Sequence, residues 1–502
     1  MNERFDDLRR RLGVINDVEK ASVLLGWDEE TKMPPTGGDV RAEQLATLGR
    51  IAHELLISDE LGDLLEELRG FEQEQPHDSL EASLIRVARR DYEKAVRVPA
   101  ELRAELSRAS SIGYRVWLRA RKEKDYSILL PHLERTLELR REYIRCFDPQ
   151  GDEYDVVLDD HEPGMKTIEV ETIFDQLKPA LVAMIQSVAE RGVVDDSCLR
   201  GSFPVAEQRE LSLEILRRWG MDDESWRLDR TVHPFATSLS PADIRLTTNF
   251  HDDSVEGILS CMHEFGHGLY ERQIDPAYAR TPLADGVSYA IHESQSRLWE
   301  NLVGRDISTW KFFYPRLREV FPEQFRGVPL ETFHRALNKV QPTLRRVDAD
   351  EVTYCLHIVL RFELERDVLS GAVDLRDLPE AFNAKMRDYL GLEPSDDVEG
   401  VMQDVHWSDL SFGYFPTYAL GNVISVQLWE RASADLGDLF EQFEQGEFAP
   451  LREWLRDHVH HWGRTLEPKE LLQRVVGGGL DAAPYLGYLE RKLEELYGAH
   501  VA

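Results

Sequence analysis

Apolar residues recur at three- and four-residue intervals along most of the chain. That spacing predicts helices over 40–70, 80–125, 130–146, 169–192, 205–219, 354–370 and 484–498. Turn-forming clusters separate them: MPPTGGD at 33–39, DPQGDE at 148–153, HEPGM at 161–165 and VVGGGLDAAP at 475–484. The triple glycine reads as a turn, because no Lys-Ser/Thr follows it to make a phosphate cradle. One stretch breaks the helical pattern. DIRLTTNF at 243–250 alternates Ile244, Leu246, Thr248 and Phe250 against Arg245, Thr247 and Asn249, and a period of two predicts a strand. It would be either a short structural hairpin or an edge against which an extended peptide is held. No fixed repeat, low-complexity tract or Pro/Ser linker interrupts the chain. The expected fold is mainly α, a single unit over 1–502, with a small β-element just before the segment that carries the chemistry.

That segment is SCMHEFGHGLYERQ, Ser260 to Gln273. Val255, Leu259, Met262, Gly266 and Leu269 form an apolar stripe at helical spacing, and Asp253 with Glu256 fits a capping box at its start. On a helix, His263 and His267 share one face and can reach one metal ion, with Glu264 beside them. His-Glu-x-x-His is the metallopeptidase pattern, with two imidazole ligands and a carboxylate general base. The plain alternative is a buried helix with two hydrogen-bonded histidines. Gly266 and Gly268 each cost roughly 1 kcal/mol relative to Ala inside a helix, so they point to close approach by a neighbouring element.

A catalytic zinc takes three protein ligands and leaves one position open. SYAIHESQSRLWENL, 288–302, reads as a second helix with Ile291, Leu298 and Leu302 on its apolar side and Tyr289, Glu293 and Arg297 on another face. Glu293 completes a His₂Glu set. His292 competes as a ligand, and Arg297 competes for Glu293 as an ion-pair partner. In such a site the ion activates a water, and Glu264 takes its proton and passes it to the leaving amine. Tyr414 and Tyr418 are candidate phenol donors to the oxyanion, or else core residues.

Composition narrows the setting. The 502 residues carry a formal net charge of −33, which argues against nucleic acid and anionic membranes as partners. Cys146, Cys198, Cys261 and Cys355 are far apart and form no C-x-x-C pair, so reduced cytoplasmic thiols are expected. The amino terminus lacks an apolar signal region, and no run is long and apolar enough to span a bilayer.

Further motifs in order along the chain resemble the carboxypeptidase Taq family of zinc metallocarboxypeptidases. They are WDEETKMPPTGG at 27–38, HPF at 233–235, DIRLT at 243–247, HEFGH at 263–267 and HESQ at 292–295. RVDAD at 346–350, GVMQDVHW at 400–407 and GYFPTYALGN at 413–422 complete the set. The resemblance spans nearly the whole chain. It implies a large helical metallopeptidase with a deep active-site cleft, a small β-sheet beside the HEXXH helix, and a homodimer. It also implies one zinc ion per chain and release of single residues from free peptide C-termini with broad preference. Carried over to matching positions, His263, His267 and Glu293 are the metal ligands and Glu264 the base. Arg346 reads the substrate carboxylate through the planar fork that suits it. His406, Tyr418, His233, Asp243 and Arg245 line or contact the substrate. The sequence departs from the family at Arg345, where an aliphatic residue or Asn is usual, and two adjacent arginines leave open which one faces the cleft. Without the resemblance, an endo-oligopeptidase, a dipeptidyl peptidase or a non-catalytic helical interaction protein would also fit.

Overall fold

A computed structural model describes residues 3–498; the ends of the expected 1–502 unit lie outside the described residues. The architecture is mainly α, with one three-stranded sheet. The predicted helices over 130–146, 169–192, 205–219, 354–370 and 484–498 are observed as Leu130–Arg145, Thr167–Ala189, Val205–Trp219, Tyr354–Ser370 and Ala483–Tyr497. The triple glycine is a turn: Gly477 at φ 76° ends the Pro468–Val476 helix in the left-handed conformation.

Two predicted segments are divided. The 80–125 segment becomes Leu80–Arg97 and Ala100–Glu123, because Pro99 forces Val98 out of the helical region to ψ 113°. The 40–70 segment becomes Gly38–Leu56, Asp59–Glu67 and Arg69–Gln73, broken where Ser58 turns extended. The 29-residue helix Glu3–Thr31 is an addition. Its first half buries Phe5, Leu8, Leu12 and Ile15, and its second half buries Trp27. The first four pack on Leu61, Leu64, Leu65, Leu84 and Ile85 and on Ile274–Ala284, the loop after the histidine helix.

The sheet has strands β1 (Trp226–Arg230), β2 (Ala236–Ser240) and β3 (Asp243–Thr248) in the order β1-β3-β2. The DIRLT strand is therefore central, parallel to β1 and antiparallel to β2. β1 and β2 are the two edge strands, and β2 is joined to β3 as a hairpin. Ile244 and Leu246 turn inward onto the histidine helix, Glu256–Arg272, where Gly268 lets them in: a Cβ there would lie 2.9 Å from Ile244 and 2.8 Å from Leu246. Beside Gly268, Phe265 packs in a nest of Trp219, Trp226 and Trp299 with ring centroids 5.6, 5.5 and 5.2 Å away. Burial of such a ring stabilises by about 1.5–3 kcal/mol. The helix is thus held rigidly between sheet and core. Its start departs from the expected capping box. The carbonyl of Asp253 accepts from Gly201 N at 3.1 Å, and Ser254 Oγ accepts from Glu256 N at 3.4 Å.

Candidate metal centre and substrate cleft

Three elements converge on one point. The histidine helix supplies His263 and His267 one turn apart. The helix Tyr289–Arg297, capped by Ser288 accepting from Ile291 N at 3.2 Å, supplies Glu293. The two helices touch at Gly266, where a Cβ would stand 2.4 Å from the carbonyl oxygen of Gln295. The helix Phe415–Leu436 closes the other side with Gly421, where a Cβ would meet Glu293 Cγ at 2.6 Å. Glu293 Oε2 stands 3.7 Å from His263 Nε2 and 3.4 Å from His267 Nε2. One ligand atom from each of these residues lies within 4.8 Å of the other two.

Each group is held from behind. His263 Nδ1 is 2.9 Å from Glu300, whose carboxylate also accepts from Arg297 and Arg305. Glu300 sits on a π-helical segment, Leu298–Gly304, that continues the Glu293 helix; such wider turns recur at functional sites. His267 Nδ1 is 2.6 Å from His292 Nδ1, so His292 backs a candidate ligand while Glu293 faces the shared point. The two readings of Glu293 coexist: Oε1 accepts from Arg297 Nε at 2.7 Å while Oε2 faces the histidines. Burial opposes ionisation of Glu293, but the Arg297 charge, with His263 and His267, outweighs it and holds the carboxyl well below the usual range. Burial pushes His267 down to about 3, keeping the ring neutral.

The point opens on a cavity of about 650 Å³. His263, Glu264, His267 and Glu293 face it, as do Tyr289, Tyr414, Tyr418 and the β2 edge from Ala236 to Ser238. Burial pushes the Glu264 carboxyl up to about 7, with His263 opposing and the charges of Glu293 and Glu300 adding to it. That carboxyl is therefore able to hold or release a proton near neutrality. Lys20 of the first helix donates to Ser238 O at 2.9 Å and pins the edge strand.

The remaining sequence-derived residues divide into two groups. Arg346 and His406 pack on Tyr418: the guanidinium is 5.0 Å from its ring centroid, and its hydroxyl is 3.5 Å from His406 Nε2. Burial lowers His406 to about 4 against the pull of Asp404. Arg345 points outward, more than half exposed, with Asp348 at 3.4 Å, whereas Arg346 is buried. Neither Arg346 nor His406 is among the residues that line the cavity, which they approach only through Tyr418, and His233, Asp243 and Arg245 are also outside the lining. His233 is exposed and its neighbour Pro234 reaches the cavity instead. Arg245 grips Asp243 through Nε and Nη2, both at 2.9 Å, and lies 4.4 Å from the Trp27 ring centroid, bracing the sheet against the first helix. Glu300 and Glu271 went unsingled in the sequence. Glu300 lies seven residues after Glu293, a spacing that puts it on the same helical face and was the available signal. Glu271 had the same kind of signal, one turn beyond His267.

Two imidazoles and a carboxylate converging at a cleft, with a protonatable carboxylate next along the helix, define a metallopeptidase centre. The chain belongs to the carboxypeptidase Taq (M32) metallopeptidase family, which matches residues 7–493. It is 42% identical to thermostable carboxypeptidase 1 of Thermus thermophilus over 95% of each chain. It is 36% identical to carboxypeptidase 1 of Bacillus subtilis, over 99% of this chain and 98% of that one. Among solved structures, an M32 carboxypeptidase from Deinococcus radiodurans R1 superposes with a TM-score of 0.96 at 38% identity, over 99% of this chain and 100% of that one. A Pyrococcus furiosus carboxypeptidase gives 0.95 at 34% identity, over 98% and 99%. The protein is thus a metallocarboxypeptidase, a peptide-bond hydrolase, and its family implies a divalent metal ion. Among the described residues no helix is long and apolar enough to cross a membrane, and the four cysteines are unpaired.

Proposed function

We propose that the chain is a zinc-dependent carboxypeptidase, one catalytic domain over 1–502, that releases single residues from free peptide C-termini with broad side-chain preference. The observation that carries the reading is the convergence of His263, His267 and Glu293 beside Glu264 at the cleft. The donor set suits zinc, because two imidazoles and a carboxylate leave a fourth position open. Both Nδ1 atoms are engaged from behind, which leaves the two Nε2 atoms toward the shared point. When bound, such an ion supplies Lewis acidity to the scissile carbonyl and to water.

The chain's own residues supply the rest. Glu264 takes a proton from the attacking water and delivers it to the leaving amine. Tyr418, facing the cavity, donates to the developing oxyanion, and Tyr414 packs beside it with ring centroids 5.1 Å apart. An extended peptide lies along the β2 edge, where backbone pairing grips any sequence. Arg346 reads the terminal carboxylate, and neutral His406 assists at the same end. Arg345 stays in solvent. In this reading His233, Asp243 and Arg245 make no substrate contact. The resemblance supports a homodimer, and the unpaired thiols and acidic composition support the cytoplasm.

The test is mass spectrometry of peptide digests with free-acid and amidated C-termini, with chelator and with zinc restored. Loss of one residue at a time from the free acid, dependent on zinc, is expected. Internal cleavage, or equal cleavage of the amide, would establish the endopeptidase alternative.

A further inference from the structure

We propose that His292 and Glu271 are positioning residues that fix the tautomer and ring orientation of His267, and so set how tightly the metal is held. The inference rests on the metal reading of His263, His267 and Glu293. His263 is oriented directly by a carboxylate, Glu300, at 2.9 Å. His267 has no carboxylate at its Nδ1. It faces the Nδ1 of a second imidazole, His292, at 2.6 Å, and His292 Nε2 is 2.8 Å from Glu271 Oε1.

The two short contacts of this chain allow a proton arrangement that leaves His267 Nε2 free for a metal. An ionised carboxylate only accepts, so His292 Nε2 carries the hydrogen. With a metal on His267 Nε2, the remaining hydrogen of that ring is on Nδ1, and it donates across the 2.6 Å contact to His292 Nδ1. His267 is left with its lone pair on Nε2, the atom 3.4 Å from Glu293 Oε2. Glu271 thus selects the tautomer of two rings in succession. Reversing either hydrogen bond would put a proton on the nitrogen that must bind metal.

The packing around His292 fits a device that holds a ring still. Gly286 stands against it: a Cβ there would fall 2.6 Å from His292 Cδ2. The Tyr270 ring lies 5.2 Å from it between centroids, and the Tyr270 hydroxyl accepts from Val287 N at 3.1 Å, tying the loop that carries Gly286. Glu271 comes from the histidine helix and His292 from the Glu293 helix, next to that ligand. The chain of contacts therefore locks the relative placement of the second and third ligands as well.

The test measures zinc affinity by competition with a chromophoric chelator, alongside the melting temperature of the zinc-stripped protein. The parent should bind one zinc per chain; a parent that binds none overturns the metal reading itself, separately from this inference. His292→Ala should weaken zinc about 10- to 100-fold, the range for loss of an outer partner of a metal-binding histidine. His292→Asn, which offers an acceptor oxygen where Nδ1 stood, should recover part of that loss. Glu271→Ala should weaken zinc less than His292→Ala does. The zinc-stripped melting temperatures should match the parent's. Unchanged affinity in His292→Ala overturns the proposal. So does a loss that Asn fails to rescue and that follows a fall in the zinc-stripped melting temperature, since that pattern belongs to packing alone.

Discussion

Arg346 and Asp404 form a buried pair in which Nε and Nη2 of the arginine both donate to one carboxylate oxygen, at 3.1 and 2.9 Å. The other oxygen of Asp404 accepts from Arg361 Nε at 2.7 Å. Nη1 of Arg346 donates to the Tyr354 hydroxyl at 3.0 Å. The Nε edge of the fork is therefore fixed from behind, and the guanidinium is held in one orientation.

Arg346→Ala should lower kcat/KM on free-acid peptides by roughly 10- to 10³-fold, because hydrogen bonds to charged groups contribute about 1.5–3 kcal/mol each. It should also destabilise the fold, since Asp404 loses one of two buried partners. The ratio of rates on free-acid and amidated peptides separates the two effects. That ratio should collapse in Arg346→Ala and stay at the parent value in Arg345→Ala. The reverse pattern would show that the exposed arginine reads the carboxylate.

Glu264→Gln should keep the bound zinc and lose at least about 10²-fold in turnover, because an amide cannot take the proton from water. Zinc content and kcat measured on the same preparation decide this. Near-normal turnover with full zinc would assign the proton to another group.

Gly266→Ala should be far more damaging than Gly49→Ala. A Cβ at 266 would meet the backbone of Gln295 at 2.4 Å and push the two ligand-bearing helices apart, whereas Gly49 has open space around its Cβ position. Overpacking of this kind costs about 1–3 kcal/mol or more, and Gly49→Ala should be neutral or slightly stabilising. Melting temperature and zinc affinity should both fall for Gly266→Ala. Intact zinc affinity in that variant would mean the helices have room to separate without moving the ligands.

Glu365 is buried and accepts from Tyr154 Oη at 2.6 Å, Trp407 Nε1 at 2.8 Å and Gly413 N at 3.0 Å. It thereby anchors the loop that carries His406. Burial pushes its carboxyl up to about 7, against these hydrogen bonds, from about 4.3 in an unfolded chain. Between those values the folded protein binds more protons than the unfolded one, so this group makes stability fall as pH rises. The full effect is of the order of 4 kcal/mol. Melting curves from about pH 5 to pH 8 should therefore show the parent losing stability relative to Glu365→Gln as pH increases. Parallel curves for the two proteins would remove Glu365 from the account.

The candidate ligands could be named from local spacing. His263 and His267 are one turn apart on a helix whose stripe and glycines the chain displays, and HESQ repeats the helical pattern 25 residues on. The family resemblance named Arg346, with the adjacent Arg345 as its rival. Burial separates the two, since one side chain meets Asp404, 58 residues away, and the other meets solvent. Spacing likewise predicted DIRLT as a strand, while only the pairing order made it the central strand with β2 at an edge, and only packing turned Arg245 onto Asp243 and Trp27. The contacts behind the metal ligands belong to the same class. Glu300 reaches His263 across 37 residues, and His292 reaches His267 across 25. Periodicity reports which face of an element is apolar, because that is set within the element itself. Which polar groups meet across elements depends on how the helices pack, and the close approaches at Gly266 and Gly421 decide that only once the chain is folded.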